Sequence, residues 1–185
     1  MRETGARPSR MSVTPDAAHV LTPISPRFTL PLPRRWRYSV AMLDIRTLND
    51  HVSVAPQIAP ADIAAIKAAG FVAIVNNRPD DEEAGQPSGD AIRVAAEDAG
   101  LAYTSIPVTH AGFSHPQLDA MAAALSAVEG PVLAYCRSGT RSCNLWALAA
   151  AKAGRAPHVL VAQAEGAGYD LGGIRPMLDA LSSDR

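Results

Sequence analysis

Residues 131–142 have the sequence PVLAYCRSGTRS, in which a short apolar run ends at a cysteine and a polar segment containing glycine follows. The run from Pro131 to Tyr135 predicts a buried strand, because it is short and apolar throughout. The Ala-, Leu- and Trp-rich stretch up to Gly154 predicts a helix, which should begin after a loop of six residues, 136–141. A strand that passes through a short loop into a helix is the repeating unit of α/β proteins.

Strands and helices alternate along the rest of the chain as well. Short apolar or alternating runs predict strands at 71–75 and 101–108, and a further strand at the sheet edge at 51–55. The predicted helices cover 61–69, 91–99, 115–128, 157–166 and 172–182. This alternation predicts a single α/β domain over residues 42–182, with a mostly parallel central sheet that is flanked by helices.

The N-terminal segment, residues 1–41, differs in composition from the rest of the chain. Its first 40 residues contain six prolines and seven arginines against only Glu3 and Asp16, and they have no apolar period. Such a segment buries too little apolar surface to compensate for the conformational entropy lost on ordering, so we expect a disordered Pro/Arg-rich tail. Two alternatives are an organelle transit peptide and a translation start at Met42. The tail lacks the apolar core of a secretory signal, so a cytoplasmic location is expected.

The composition excludes several functional classes. A net charge of −1 and a pI near 6.5 do not provide the basic surface of a nucleic-acid-binding protein. No stretch of about 18 apolar residues is present, so no membrane span is predicted. Two cysteines cannot form a disulfide scaffold. Without suitably spaced histidines they also do not form a metal site, and neither a metal nor a cofactor is predicted.

Ligands of open α/β sheets bind beyond the carboxyl ends of the strands, which places the site in loops 76–87, 108–114 and 136–141. Cys136 is the predicted nucleophile, because a turn of amides at a helix N-terminus favours a thiolate. Arg141 is the second catalytic residue, since its planar guanidinium can bind an oxyanion through two hydrogen bonds. The residues predicted to bind the anion with them are Arg137, Ser138, Gly139, Thr140 and Ser142.

The two other loops supply further candidates: Asn77, Arg78, Asp80 and His110. The more ordinary alternative for the first three is a self-capped turn in which Arg78 pairs with Asp80. For His110 the alternative is a hydrogen bond within its own loop. Cys143 is expected to pack inside the following helix, and a role as a resolving thiol is a minor alternative.

Five segments of the chain resemble a known family: LDIRTLNDHVSVAPQIAPADIAAIKAAGF, IVNNRPDDEEAGQPS, IPVTHAGFS, PVLAYCRSGTRSCNLWAL and AGYDLGGIRPMLDAL. Over residues 42–182 the chain resembles the phosphatase-like domain of beta-lactamase hydrolase-like proteins, a bacterial group often labelled as sulfur transferases. The resemblance implies a fold like that of dual-specificity cysteine phosphatases. Members are also fused to metallo-β-lactamase-type persulfide dioxygenases, which implies a place in sulfide and persulfide metabolism and a persulfide dioxygenase as partner.

Two chemistries compete for the cysteine loop. The catalytic loop of cysteine phosphatases has a pattern similar to Cys-x-x-Gly-x-x-Arg, in which the arginine follows the cysteine by six positions. Here Arg141 follows Cys136 by only five positions, which resembles the rhodanese pattern Cys-Arg-x-Gly-x-Arg. The segment 109–112 also lacks a carboxylate that could protonate a leaving oxygen, although the acids at 80–83 or His110 could supply the proton. The favoured hypothesis is a sulfurtransferase. It takes sulfane sulfur from a small-molecule donor, holds it as a persulfide on Cys136 and passes it to an acceptor. The alternatives are a phosphatase and a non-catalytic anion-binding module.

Overall fold

Five strands form one sheet in the computed structural model, which describes residues 43–183. The strands are β1 (Arg46–Thr47), β2 (Val52–Ala55), β3 (Ala73–Asn76), β4 (Ala102–Ser105) and β5 (Val132–Tyr135). Their order across the sheet is β1-β2-β5-β3-β4, and every neighbouring pair is parallel except β1 and β2. The predicted α/β fold with a mostly parallel sheet is confirmed.

Strand β2 does not lie at the sheet edge, so that expectation is wrong. Strand β1 lies outside it and pairs with it in antiparallel register. The turn between the two strands is closed by Asn49, whose Oδ1 accepts hydrogen bonds from the amides of His51 at 2.9 Å and Val52 at 2.8 Å. The sequence does not reveal β1, because a strand of two residues is too short to show a period.

Six α-helices flank the sheet in the described part of the chain. They are α1 (Ile63–Ala68), α2 (Gly89–Asp98), α3 (His115–Ser126), α4 (Thr140–Lys152), α5 (Pro157–Gly166) and α6 (Arg175–Ser183). Short 3₁₀ turns precede α1 and α6, at Pro60–Asp62 and Gly172–Ile174. Ser88 caps α2, since its hydroxyl accepts a hydrogen bond from the amide of Ala91 at 3.2 Å.

Alternate residues of the strands supply the two faces of the core. On β5, Val132 and Ala134 pack in a cluster with residues of α3, α4, α5 and α6. Leu133 and Tyr135 pack on the opposite side of the sheet with residues of α1 and α2. Because β5 lies between β2 and β3, both of its edges are paired, and the helices cover both of its faces, so the strand that leads to Cys136 lies in the middle of the core.

Helix α4 begins at Thr140, earlier than the sequence predicts. Gly139 precedes it in the left-handed conformation, with φ of 88°. The Gly139 carbonyl accepts the amide hydrogen bond of Cys143 at 2.9 Å and so starts the helix. Arg141 and Ser142 therefore lie in the first helical turn and not in a separate loop.

Residues 1–42, 184 and 185 are outside the described residues, and with them the predicted tail and the alternative start at Met42. Among residues 43–183, no helix is both long enough and apolar enough to cross a membrane. The same stretch contains no group of three or more His, Cys, Asp or Glu side chains placed to hold a metal ion.

Candidate active site

Cys136 lies at the carboxyl end of β5 and is fully buried, with 0% of its surface exposed. Its backbone amide donates to the carbonyl of Ala55 at 3.4 Å, which ties it to the neighbouring strand. Its Sγ accepts a hydrogen bond from the amide of Gly139 at 3.1 Å. The amide and the N-terminus of α4 both stabilise negative charge on the sulfur, as a nucleophilic thiolate requires.

Tyr169 packs against the glycine turn, although the sequence does not predict it as a site residue. Its hydroxyl donates a hydrogen bond to the carbonyl of Ser138 at 3.3 Å. The guanidinium of Arg46 lies 5.3 Å from the centre of its ring, which is a cation–π distance. A Cβ at Gly139 would lie 2.0 Å from the Tyr169 hydroxyl oxygen, so only glycine fits against this ring.

Arg141 is held by a carboxylate from another loop. Its two terminal nitrogens donate to the two oxygens of Glu82, Nη1 to Oε1 at 2.6 Å and Nη2 to Oε2 at 2.7 Å. Nη1 also donates to the carbonyl of Val108 at 2.7 Å. Residues from all three loops at the carboxyl ends of the sheet therefore meet at Arg141, as the topology predicts.

Arg78 is 4% exposed and helps to hold the same carboxylate. Its Nε donates to Glu82 at 2.9 Å, while its terminal nitrogens donate to Gln57 at 2.8 Å and Glu83 at 3.1 Å. The expected pairing of Arg78 with Asp80 is wrong. Asp80 instead accepts the amide hydrogen bond of Gly89 at 2.7 Å and anchors the loop to α2, because it lies beside that helix start.

The carboxyl of Glu82 stays ionised over the whole neutral and mildly acidic range. Hydrogen bonding to Arg141, with a smaller contribution from Arg78, lowers its pKa from an ordinary value of 4.5 to about 2. A carboxylate with this pKa cannot donate a proton near neutral pH. Glu82 is therefore an anchor for guanidinium groups and not a general acid.

This low pKa predicts how stability changes with pH. Glu82 should stabilise the fold above about pH 4.5, and its contribution should be lost as pH falls towards 2, because the unfolded chain then binds a proton more tightly. In Glu82→Gln that part of the acid dependence should disappear. Urea unfolding of both proteins at pH 6 and pH 3 checks this, and an equal loss of stability in both would contradict it.

The remaining predicted residues of the cysteine turn differ in burial and in their partners. Arg137 is exposed, and its closest charged partner is Glu83 at 3.7 Å. The hydroxyls of Ser138 and Thr140 are 3.1 Å apart and exposed. Ser142 is fully buried, and its hydroxyl has no hydrogen-bond partner among residues 43–183. The turn thus offers one buried hydroxyl and two exposed ones.

Two residues of the other loops have different surroundings. Asn77 is fully buried, where its side-chain nitrogen donates to the carbonyl of Ile106 at 3.1 Å, so it joins β3 to the segment after β4. His110 is exposed and lines the cleft beside Arg141. Asn77 is therefore placed as a structural link, and His110 as a residue that a ligand could reach.

Two clefts lie beside the Glu82–Arg141 ion pair. The first, about 520 Å³, is lined by the loop from Pro79 to Glu82, by Thr109 and His110, and by the two arginines of the cysteine loop. The second, about 380 Å³, lies towards Phe113 and Asn144. Glu82 and Arg141 line both clefts, whereas Cys136 lines neither. The ion pair therefore borders both clefts, whereas the buried thiol borders neither.

The other cysteine is a core residue. Cys143 is fully buried in α4, and burial raises the pKa of its thiol to about 12. It is therefore protonated at neutral pH and unreactive as a nucleophile. Tyr135 and Trp146 are also buried, at 1% and 3% exposed.

A buried cysteine at the end of a central strand, a glycine turn, and an arginine in the first turn of the following helix define a cysteine-phosphatase-like domain. Residues 44–153 match the family described as Beta-lactamase hydrolase-like protein, phosphatase-like domain. The chain belongs to this family, which confirms the resemblance found in the sequence. A Beta-lactamase hydrolase-like protein of Agrobacterium fabrum is 38% identical over 108 residues, 58% of this chain. The match spans only 25% of that relative's length.

Solved structures have the same fold. A Neisseria meningitidis protein described as a candidate phosphatase is 34% identical, with a TM-score of 0.66 over 75% of this chain and 98% of that protein. Tk-PTP in its active form has a TM-score of 0.62 over 77% of this chain and 98% of its own, at 17% identity. The second likeness extends to the fold alone. Together they support an enzyme-like cysteine-phosphatase fold.

Proposed function

We propose that Cys136 accepts sulfane sulfur from an anionic donor such as thiosulfate or a low-molecular-weight persulfide, and passes it to a thiophilic acceptor. The observation that carries this proposal is the short turn between Cys136 and Arg141. The turn brings the Gly139 amide to 3.1 Å from Sγ and places Arg141 already in the first turn of α4. A turn this tight suits a thiolate that carries one added sulfur better than it suits a tetrahedral phosphate.

The reaction is a double displacement. The Cys136 thiolate attacks the outer sulfur of thiosulfate, a sulfur–sulfur bond forms, and sulfite leaves with the electron pair of the bond that breaks. An acceptor thiolate then attacks the outer sulfur of the Cys136 persulfide and releases the Cys136 thiolate. Both leaving groups are stable anions, so neither step needs a general acid. The amides of the turn and Arg141 stabilise the negative charge in both steps.

Three of the four acids in the loop 80–83 are already engaged, which favours a reaction that needs no acid. Asp80 is engaged with Gly89, Glu82 is held ionised by two arginines, and Glu83 pairs with Arg78. A cytoplasmic location would suit such a reaction, because thiols remain reduced there. The chain spans about a quarter of its curated relative's length. The family resemblance implies a persulfide dioxygenase as physiological partner, and this partner is part of the proposal.

The direct test is the intact mass of the protein after incubation with thiosulfate and, separately, with glutathione persulfide. We expect a gain of one sulfur atom, which cyanide or excess thiol removes. A chain that gains no sulfur from either donor would overturn sulfur transfer. It would favour the phosphatase or the anion-binding alternative.

Phosphoester hydrolysis is the second candidate, and the comparisons support it more directly than sulfur transfer. The Neisseria meningitidis relative is described as a candidate phosphatase. Asp81 is the residue that could supply the proton: it is exposed, lines the cleft beside Arg141, and makes no hydrogen bond or ion pair to residues 43–183. Its φ of 61° is the only positive value among the non-glycine residues described, and such strain is often found at functional sites.

Asp81→Asn separates the two candidates. If the domain hydrolyses phosphoesters with Asp81 as acid, turnover of p-nitrophenyl phosphate should fall by roughly 10²-fold or more. If it transfers sulfur, loading from thiosulfate should stay within about twofold of wild type, because no proton is needed. Asp90→Asn, an exposed acid on α2 that is paired with Arg93, serves as the matched control for loss of one charge.

A further inference from the structure

Glu82 and Arg141 form a fork-to-fork ion pair, the geometry in which a guanidinium also binds a planar or tetrahedral oxyanion. Both hydrogen bonds to the carboxylate are short, at 2.6 and 2.7 Å. A third donor position of the guanidinium is taken by the carbonyl of Val108. The Nη1–Nη2 fork of Arg141, one of the two edges through which its guanidinium can bind an oxyanion, is therefore already occupied by an anion of the protein itself.

The thiol lies outside both of the clefts that the same pair borders. Cys136 has no exposed surface, and the clefts on either side are lined by Glu82 and Arg141 but not by Cys136. The side chains of Glu82 and Arg141 are themselves only 26% and 22% exposed. A donor that enters either cleft meets the ion pair before it can reach the sulfur.

Glu82 has a second partner that can retain it. Its Oε2 accepts a hydrogen bond from Arg78, which is almost completely buried and also bonded to Gln57. If an oxyanion takes the place of the carboxylate on Arg141, Glu82 keeps its contact with Arg78. The exchange replaces one anion by another, so it leaves neither guanidinium without a counter-charge, which would be costly at a partly buried site.

The loop that carries Glu82 is anchored at its two ends. Asp80 bonds to the amide of Gly89, and the side-chain nitrogen of Gln86 donates to the carbonyl of Pro79 at 2.8 Å. Between these anchors, Asp81 and Gly85 have positive φ values of 61° and 80°. The anchored ends fix the base of the loop while its tip, with Glu82, lies over the site.

We infer that Glu82 is an internal competitor for the donor site: its carboxylate occupies the Nη1–Nη2 fork of Arg141, and the anionic group of the substrate must displace it from this fork before Cys136 can react. Glu82 would thus determine specificity. It excludes neutral electrophiles and weakly binding monoanions, and it admits small oxyanions that can form two hydrogen bonds with the guanidinium. The inference rests on the part of the proposed function that makes Cys136 the nucleophile and its substrate an anion.

The test is a titration of the full chain with inorganic sulfate at constant ionic strength, followed through the backbone amide NMR signals of Ser138, Gly139 and Arg141. We expect Glu82→Gln to bind sulfate about tenfold more tightly than wild type, which corresponds to about 1.4 kcal/mol. Asp90→Asn is the control for the loss of one charge, because Asp90 is paired with Arg93 on α2 and not with an arginine of the cysteine turn. It should change the affinity by less than about twofold.

Two further measurements keep the inference open to refutation. Glu82→Asp retains the charge but shortens the side chain by one methylene, so it should also bind sulfate more tightly than wild type. The rate of Cys136 alkylation by iodoacetate relative to iodoacetamide should rise about tenfold in Glu82→Gln. Sulfate binding that is unchanged or weaker in Glu82→Gln would show that the carboxylate positions Arg141 and does not compete. An equal gain in Asp90→Asn would reduce the effect to net charge.

These outcomes are independent of the sulfur-transfer assay, because neither sulfate binding nor alkylation needs a sulfur donor. If thiosulfate fails to load Cys136 while Glu82→Gln still binds sulfate more tightly, the proposed function fails and the competitor role stands. If loading succeeds and the sulfate affinities do not differ, the competitor role fails and sulfur transfer stands.

Discussion

Cys136→Ser is expected to abolish sulfur loading from thiosulfate and glutathione persulfide, and to reduce any phosphoester turnover by at least about 10³-fold. Serine preserves the size of the side chain and can still accept the hydrogen bond that the Gly139 amide gives to Sγ. Its hydroxyl, however, is not ionised at neutral pH, and an oxygen nucleophile cannot form a persulfide. Intact mass after incubation with each donor measures the effect directly.

Cys143→Ala is the matched control for this variant. Cys143 is as deeply buried as Cys136, and its thiol is held protonated by burial. The variant should lose some stability through the small cavity it creates, but it should load sulfur to the same extent as wild type. Loss of loading in Cys143→Ala at unchanged secondary structure would indicate a resolving role for the second thiol.

The serine variant also separates an enzyme from an anion-binding module. An enzyme should lose turnover in Cys136→Ser while sulfate still shifts the amide signals of the turn, because the donors of the turn remain. A module should keep its full biological activity, since the sulfur has no chemical role in it. Retention of that activity would therefore reject both enzymatic candidates.

Gly139→Ala should have the second largest effect, with activity lowered by at least about 10²-fold. The new Cβ would lie 2.0 Å from the hydroxyl oxygen of Tyr169 and 2.9 Å from its Cζ. An alanine at φ of 88° also costs roughly 1–2 kcal/mol of backbone energy. The turn must therefore move away from Tyr169 and take the Gly139 amide away from Sγ, and displacements of about 1 Å at a catalytic group cost rates of this order.

Gly70→Ala and a double variant distinguish the steric effect from backbone strain. Gly70 has a similar φ of 98°, but a Cβ there meets nothing within 4 Å, so this variant measures the backbone cost alone. Tyr169→Phe removes the closest contact and should restore part of the activity of Gly139→Ala. We expect a large loss of activity in Gly139→Ala, which has the steric clash, and not in Gly70→Ala, which has only the backbone strain. If Gly139→Ala remains fully active, the turn does not depend on this packing and the catalytic role assigned to the amide is wrong.

Much of the fold follows from local sequence patterns. The apolar runs predict β3, β4 and β5, and the stretches between and after them predict most of the helices. The strand Val132–Tyr135 followed by Cys136 was sufficient to predict the position of the thiol at the carboxyl end of a buried strand. These features depend on hydrogen bonds and periodicities within a few residues, which a single sequence contains.

The sequence could not assign the acidic loop. Its four consecutive acids, Asp80 to Glu83, are nearly equivalent as sequence, and the natural hypothesis paired Arg78 with its nearest acid. In the fold Asp80 anchors α2, Glu82 holds two arginines and Asp81 is left exposed in the cleft. The assignment depends on which side chain each position directs towards residues far along the chain.

The sequence by itself determined the α/β class, the order of most elements, and the presence of a nucleophile and an arginine in one short turn. Only the tertiary structure decided that Glu82 pairs with Arg141, 59 residues away. It also decided that Tyr169 packs against the glycine turn, and that β1 pairs with the outer edge of β2. The physical reason is range: backbone propensities act between near neighbours, whereas the long side chains of Arg and Glu find their partners only after the sheet has brought its loops together.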